Sequence, residues 1–511
     1  MRLFRSPAEP SEKDAILGDS KRKEEQTVFH NQLLLAMAAS IGYMSVGLLR
    51  GFSSPGVPSM QVLSPHLVPD EDAVSWVSSI PPLGAFVGSL CAGPFLQHIG
   101  RKRTLMISSP LSVIGWLLVT FAKSYEMLIC GRIITGFCAG IIIPSAQVYV
   151  NESSHPEIRG VLGSLPALFM SGGILASYVM GAWLNWQELA GASAAFPAAL
   201  LFVLLPLPES PSWLMGKGRT EEADKAMKWL HHPVRGPVDQ IPMEERRTSV
   251  FTVASEQPPP EQLQQEKSHE AKSPMKALLR RPVLLPFCLS LFLMAFQQLS
   301  GIDAIVFYTV EIFKSSGSST DEHLSTILVG LVQLVSNLLA LFVVDRAGRR
   351  PLLLGSGFLM TLSMSALGAY FYLLDHGEAQ DLGLLPLISL LIFMAGYSVG
   401  YCTLPYLMMG ELLPVRQRSL LSSVAGSFNL GVMFIVIKTY HGLKSTIGND
   451  GAFWLYAALC LISCVFVCVF VPETKGKSLE EIEEYFELKH MSKRKKALLQ
   501  QKQEVENQTS K

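Results

Sequence analysis

Charge is what this chain has least of. Asp, Glu, Lys and Arg make up 16% of its 511 residues, against about 25% in soluble chains. With 49% of residues hydrophobic, a disordered polymer is excluded, and composition argues against a string of soluble domains. Lys plus Arg and Asp plus Glu are 42 each, so net charge gives no case for nucleic acid. Cysteine is sparse too: eight residues, too few for a disulfide scaffold. Cys460, Cys464 and Cys468 recur every fourth residue in an apolar run, so they share one helix face. A metal site would need polar partner ligands; none lie near in sequence, and the cysteines read as small packing residues in lipid. No catalytic motif stands out, so neither an enzyme nor a cofactor is expected. No signal peptide is expected, because the first apolar run starts late and lacks a small-residue cleavage site.

What the chain does have is long apolar segments. They run at about 29–52, 73–96, 104–122, 126–150, 161–183 and 189–207, then at about 283–309, 324–344, 351–374, 383–410, 419–440 and 450–471. Each is long enough to cross a bilayer as a helix, which satisfies its own backbone without water. The expected fold is an all-α membrane protein of twelve transmembrane helices in two pseudo-symmetric six-helix halves. Five parts follow: an N-terminal segment 1–28, a first half 29–214, a linker 215–281, a second half 282–472 and a tail 473–511. Short helices are expected at 220–230 and 478–489, the latter capped by Ser478 with Glu481 three residues on. With both termini cytoplasmic, 36 of the 42 Lys and Arg face the cytoplasm, as the positive-inside rule asks.

Three signatures occur twice. Gly100-Arg101-Lys102 is matched by Gly348-Arg349-Arg350. Glu152 and Arg159 are matched by Glu411 and Arg418, each pair seven residues apart. Pro208-Glu209-Ser210 is matched by Pro472-Glu473-Thr474. The offsets are 248, 259 and 264 residues, which marks an internal duplication. All these charges fall at the cytoplasmic ends of the segments, so the expectation is a gate. Bridges between the halves would hold the inner face shut and break as it opens; plain charge anchoring is the alternative.

Together these residues resemble the sugar-porter family of the major facilitator superfamily. The resemblance spans about residues 40–490 and rests on Gly93 to Lys102, Arg132, Val148-Tyr149 with Glu152 and Arg159-Gly160, Gln297-Gln298-Leu299-Ser300-Gly301, Asp345 to Arg350 and Pro472 to Gly476. Asn185-Trp186 and Leu407 to Glu411 are most like insect facilitated trehalose transporters, with related glucose facilitators also similar. The resemblance implies alternating access, with a small-molecule sugar bound between the halves near the midplane. It implies substrate contacts at Gln297, Gln298, Gln333 and Asn429, with Tyr406 and Asp303 standing where the family has Trp and Asn. For the Gln pair, interhelical bonding is the rival role. It also implies gating residues: Arg101, Glu152, Arg159, Glu209, Asp345, Arg349, Glu411, Arg418 and Glu473.

The chain departs from the family pattern at several points. Ala167 replaces a Gln, Cys402-Thr403 a Gly-Pro, Leu430 a Trp, Gln97 an Asp and Ser212 an Arg. Gly396, Gly400 and Pro405 should loosen the tenth segment. Arg50 on segment one and Asp303 on segment seven are intramembrane charges. An isolated one is costly, so they are expected to pair across the cavity, or else Arg50 snorkels outward. Ser53 stands where proton-coupled relatives carry Asp. The expected function is facilitative transport of a hexose or a trehalose-like disaccharide, by a monomer in the plasma membrane. Proton-coupled transport of a sugar or polyol, and a sugar sensor on the same scaffold, are the alternatives.

Overall fold

The computed structural model describes residues 12–155, 158–230, 281–317, 320–378, 382–414, 417–477 and 479–490, without the side chains of 12–28, 281–282, 345, 419, 479–480 and 487–490. Most of the linker, the Ser478 cap and the end of the tail therefore lie outside the described residues, as does the Asp345 side chain.

The regular structure of the described residues is helical. In chain order, α1 is Glu12–Leu63, α2 Glu71–His98, α3 Arg101–Thr120, α4 Tyr125–Ser153, α5 Arg159–Gly181, α6 Trp186–Leu204, α7 Pro211–Gly216 and α8 Thr220–Leu230. Then follow α9 Arg281–Leu299, α10 Ile302–Ser316, α11 Glu322–Ala347, α12 Arg349–Asp375, α13 Leu385–Val399, α14 Leu404–Leu412, α15 Arg418–Phe470 and α16 Leu479–His490. Eleven helical stretches are long and apolar enough to cross a membrane. The last of them is two crossings, because Gly448 breaks α15 at φ 78° and ψ 171°. Twelve crossings bring residues 29 and 470 to the same end of the bundle, here the near end; the opposite is the far end.

Local chemistry differs between the two ends. Helices α2, α6 and α11, which start at the far end, carry their own caps. Asp70 accepts from Ala73 N at 2.7 Å, Asn185 and Glu188 form a capping box, and Asp321 accepts from His323 N at 2.7 Å. These satisfy amide groups that the first turn leaves free. At the near end α3 and α12 start on Gly100 and Gly348, at φ 108° and 90°, with no side chain of their own to cap them. Their caps come from elsewhere in the chain, as shown below.

Helices α1 to α6 pack on one another, with α1 on α5, α2 on α4 and α3 on α4 and α6. The α1–α5 contact is backbone to backbone: a Cβ on Gly47 would lie 2.0 Å from the Met170 carbonyl oxygen. Such small-residue contacts bring helices together where lipid offers no hydrophobic drive. Helices α9 to α15 form a second set. Three seams join the sets: α2 with α15, α5 with α11, and α1 with α10.

Candidate functional site

Two helix breaks face each other in the second set. One separates α9 from α10 at Ser300-Gly301, with Gly301 at φ 85°. A Cβ there would sit 2.7 Å from the Tyr456 ring, so only glycine fits. The other separates α13 from α14 over Gly400 to Thr403. Breaks free backbone groups, which must be satisfied inside protein. Gln297 does this: its Nε2 donates to the carbonyls of Tyr401 at 2.8 Å and Cys402 at 3.2 Å. Its Oε1 accepts from Asn429 Nδ2 at 2.9 Å, and the same nitrogen donates to Met294 O at 3.0 Å. Asn429 Oδ1 in turn accepts from Gln298 Nε2 and from the Tyr406 hydroxyl, both at 3.0 Å. Four of the residues expected at the site therefore form one amide network. Gln297, Gln298 and Asn429 are buried, whereas Tyr406 is 43% exposed.

The first set reaches this network through α10. Arg50 on α1 forms an ion pair with Asp303. Tyr178 on α5 donates to Val306 O at 2.8 Å, and Val310 N donates to Ser54 Oγ on α1 at 3.1 Å. Residues 303, 306 and 310 fall on one helix face, so α10 lies with that face on the first set. Asp303 sits in the first turn of α10, where the helix dipole favours a negative charge. Its side chain is 0% exposed against 21% for Arg50.

Several buried oxygens near this seam lack a hydrogen-bond partner among the described residues. They are Gln298 Oε1, Asp303 Oδ2, Gln333 Oε1 and Asn337 Oδ1, with Arg50 Nε as an unpaired donor. A buried polar atom left unpaired costs roughly 1–3 kcal/mol. Gln333 lies on α11, one turn before Asn337. Asn337 and its partner Ser171 were not singled out in the sequence. The only signal was indirect: Asn337 follows Gln333 by four residues, on the same helix face.

The near-end charges are arranged differently from the gate expected of them. Arg101 pairs with Glu152 at 2.7 Å and Arg349 with Glu411 at 3.0 Å, each within one set rather than between the two. Ser210 Oγ bonds to Glu152, and Thr474 Oγ1 to Glu411 at 2.5 Å. Glu209 accepts from the N–H groups of Arg101 at 2.9 Å and Lys102 at 2.8 Å. Glu473 does the same for Arg349 at 3.1 Å and Arg350 at 3.0 Å. These two carboxylates are the borrowed caps of α3 and α12. Arg159 donates to Ser154 O at 3.3 Å, and Arg418 to Leu413 O at 3.2 and 3.1 Å, so each covers a carbonyl where α4 or α14 ends. In this state the described near-end pairs stand within each half. The physical reason is that helix ends within one set offer these charges nearer partners. The ion pairs described across the sets are Arg50–Asp303 and, at the far end, Lys438–Asp72 at 2.5 Å.

Burial tends to raise the Glu473 carboxyl, but the N–H groups of Lys475, Arg349, Arg350 and Thr474 outweigh it and hold it below the ordinary carboxylate range. Arg132 on α4 is fully buried. It donates to Val77 O at 3.1 Å and Ser53 Oγ at 2.5 Å and lies 5.1 Å from the Phe52 ring centre.

Comparison with known proteins places this geometry. A family model described as sugar (and other) transporter matches residues 37–486. The chain is 40% identical over 457 residues to the facilitated trehalose transporter of Polypedilum vanderplanki, covering 89% of this chain and 88% of that protein. It is 39% identical over 464 residues to that of Bombyx mori, covering 91% and 88%. It spans only 55% of the Anopheles gambiae relative. Among solved structures, the inward-open xylose transporter of E. coli aligns with a TM-score of 0.70 at 21% identity, over 90% of this chain and 99% of that one. At that identity the likeness speaks for the fold. The match across nearly the whole helical bundle shows that the chain belongs to the sugar (and other) transporter family.

Proposed function

We propose that the chain carries a sugar across a membrane passively, by rocking α1–α6 against α9–α15 about the seam that holds the amide network. The observation that supports this best is the set of unpaired buried oxygens on Gln298, Asp303 and Gln333. Sugar hydroxyls both donate and accept, and amides answer both. Gln297 braces the two breaks, Gln298, Gln333 and Asp303 offer acceptors, and Asn429 and Tyr406 close the pocket. The substrate class is a hexose or a trehalose-like disaccharide, moved unchanged, with no covalent step. The near end is cytoplasmic and holds both termini. The two halves are 29–214 and 282–472, joined by a cytoplasmic linker, and the chain acts as a monomer in the plasma membrane.

Passive transport is favoured over proton coupling by Ser53. It meets Arg132 with a hydroxyl, which does not titrate, where a carboxylate would. In this state the far end is closed by α1 on α10. Among the described residues the near-end ion pairs brace each half; Asp345 stands at the same end of α11 in the chain. The test is uptake of labelled sugars into liposomes holding the purified protein, with and without a pH gradient. Saturable uptake unaffected by the gradient is expected. Uptake that follows the gradient would move the chain to the coupled class, and uptake of no sugar would end the transport reading.

A further inference from the structure

We propose that Lys438 is the latch of the far end: its ammonium, seated between Asp72 and Trp76, holds α15 on α2 and sets how often the molecule opens to that side. This rests on the rocking motion read above and goes beyond it by naming what restrains it.

Asp72, Ser75 and Trp76 lie in the opening turns of α2, and their spacing of three and four residues puts them on one helix face. Phe434 and Lys438 stand one turn apart on the first crossing of α15. The two faces meet at these positions. Lys438 Nζ lies 2.5 Å from Asp72 Oδ1 and 4.2 Å from the centre of the Trp76 ring. The ring centres of Trp76 and Phe434 are 6.2 Å apart. Ser75 Oγ donates to the Lys438 carbonyl at 2.9 Å, so three neighbours on α2 hold both the backbone and the side chain of one lysine. Toward the near end the same seam continues through the hydroxyls of Ser89 and Ser427, 3.1 Å apart and uncharged.

A latch must let go as readily as it holds. The Asp72 side chain is 75% exposed and that of Lys438 22%, so water takes over both charges when α2 and α15 part. Arg50–Asp303 differs, because its carboxylate is fully buried. An exposed ion pair and an exposed cation–π contact are each worth up to about fivefold in an equilibrium. Together they bias the molecule toward a closed far end by roughly tenfold. At the near end Arg101–Glu152 and Arg349–Glu411 stand within each half and do not oppose this bias. Sugar arriving at the far side binds only the molecules open there, so the latch lowers apparent affinity on that side by the same factor.

The test is the rate at which Ser54→Cys, in the full chain without other cysteines, is labelled in liposomes by a maleimide that cannot cross the membrane. Ser54 is 1% exposed and bonded to Val310 N, so labelling reports far-end opening. Lys438→Met should speed labelling about tenfold. Lys438→Arg keeps the charge and the ring contact and should stay within about twofold of the parent. Asp72→Asn and Trp76→Leu should each speed labelling about threefold, and neither should add to Lys438→Met, because each acts through the same ammonium. Unchanged labelling in Lys438→Met, or effects of Asp72→Asn and Trp76→Leu that persist in full beside it, overturn the proposal and leave the transport reading standing. A lower thermal midpoint without faster labelling overturns it as well, since that marks packing alone. Ser54→Cys that is never labelled, in parent or variant, defeats the rocking reading itself. If Lys438→Met fails to fold, Asp72→Asn, at an exposed carboxylate, decides.

Discussion

The Arg50–Asp303 pair makes an asymmetric prediction. Arg50 is 21% exposed at its side chain and Asp303 is 0% exposed. Arg50→Met strands a carboxylate with no access to water, and a buried charge that loses its partner costs about 3–5 kcal/mol. Asp303→Asn strands a guanidinium that can still reach water, so the penalty should be about 1 kcal/mol, nearer that of an exposed pair. The pair joins α1 to α10 only while the far end is closed. The penalty therefore falls on the closed state and is relieved as the far end opens. At about 1.4 kcal/mol per factor of ten, Arg50→Met should raise the open-to-closed ratio by at least 100-fold and Asp303→Asn by less than tenfold. The double variant, with neither charge, should return to within about threefold of the parent. The assay is the labelling rate of Ser54→Cys, in a background without other cysteines, by a maleimide that cannot cross the membrane. Ser54 is 1% exposed and bonded to Val310 N, so labelling reports opening. Additive effects in the double variant, or Asp303→Asn exceeding Arg50→Met, would refute the reasoning.

Three further outcomes follow from the geometry. Gly301→Ala meets both the Tyr456 ring and a left-handed backbone, so it should destabilise the protein by 2 kcal/mol or more; Gly426→Ala, with open space around it, should be neutral in the same thermal-unfolding assay. Gln297→Ala should lower the thermal midpoint, because it leaves the carbonyls of Tyr401 and Cys402 unpaired, whereas Gln298→Ala should chiefly raise the KM for sugar. Glu473 has a lowered carboxyl pKa in the folded protein, so its contribution is present above the unfolded carboxylate pKa and lost as pH falls through the folded one. Glu473→Gln should cost about 1 kcal/mol at neutral pH, as loss of a helix cap does, and the gap to the parent should close as the solution is acidified through the carboxylate range.

Much of this was legible in the chain because apolar length is a strong signal. The twelve crossings follow from it, whereas the helix at 220–230 and the doubled near-end signatures were legible from charge pattern and repeated motifs. The loosening of segment ten was legible as well, since Gly400 and Pro405 flank the observed break. The helix bounds were less so: α1 continues through Pro55 and Pro58 to Leu63, beyond the apolar run that ends near 52. Segment seven read as one apolar stretch, yet it breaks at Gly301. There Gly301 packs against the Tyr456 ring, 155 residues away in the chain, and local pattern does not carry such a contact. That Glu209 and Glu473 cap α3 and α12 was not legible for a related reason. Charge at a helix end shows in sequence, but whether it meets an arginine across the halves or a bare helix start beside it depends on packing. Arg50 and Asp303 were found because an unpaired charge in apolar surroundings demands a partner. Asn337 was missed because a neutral amide makes no such demand.

The central claim is that the two sets of helices must part at the far end for sugar to pass. Ser54→Cys with Val310→Cys puts one thiol on each residue of a pair whose Val310 N now meets Ser54 Oγ at 3.1 Å, and a bifunctional thiol crosslinker cleaved by reduction should tie α1 to α10. In liposomes the tied protein should lose sugar uptake, and reduction should restore it. Full uptake with the crosslink intact would contradict the account.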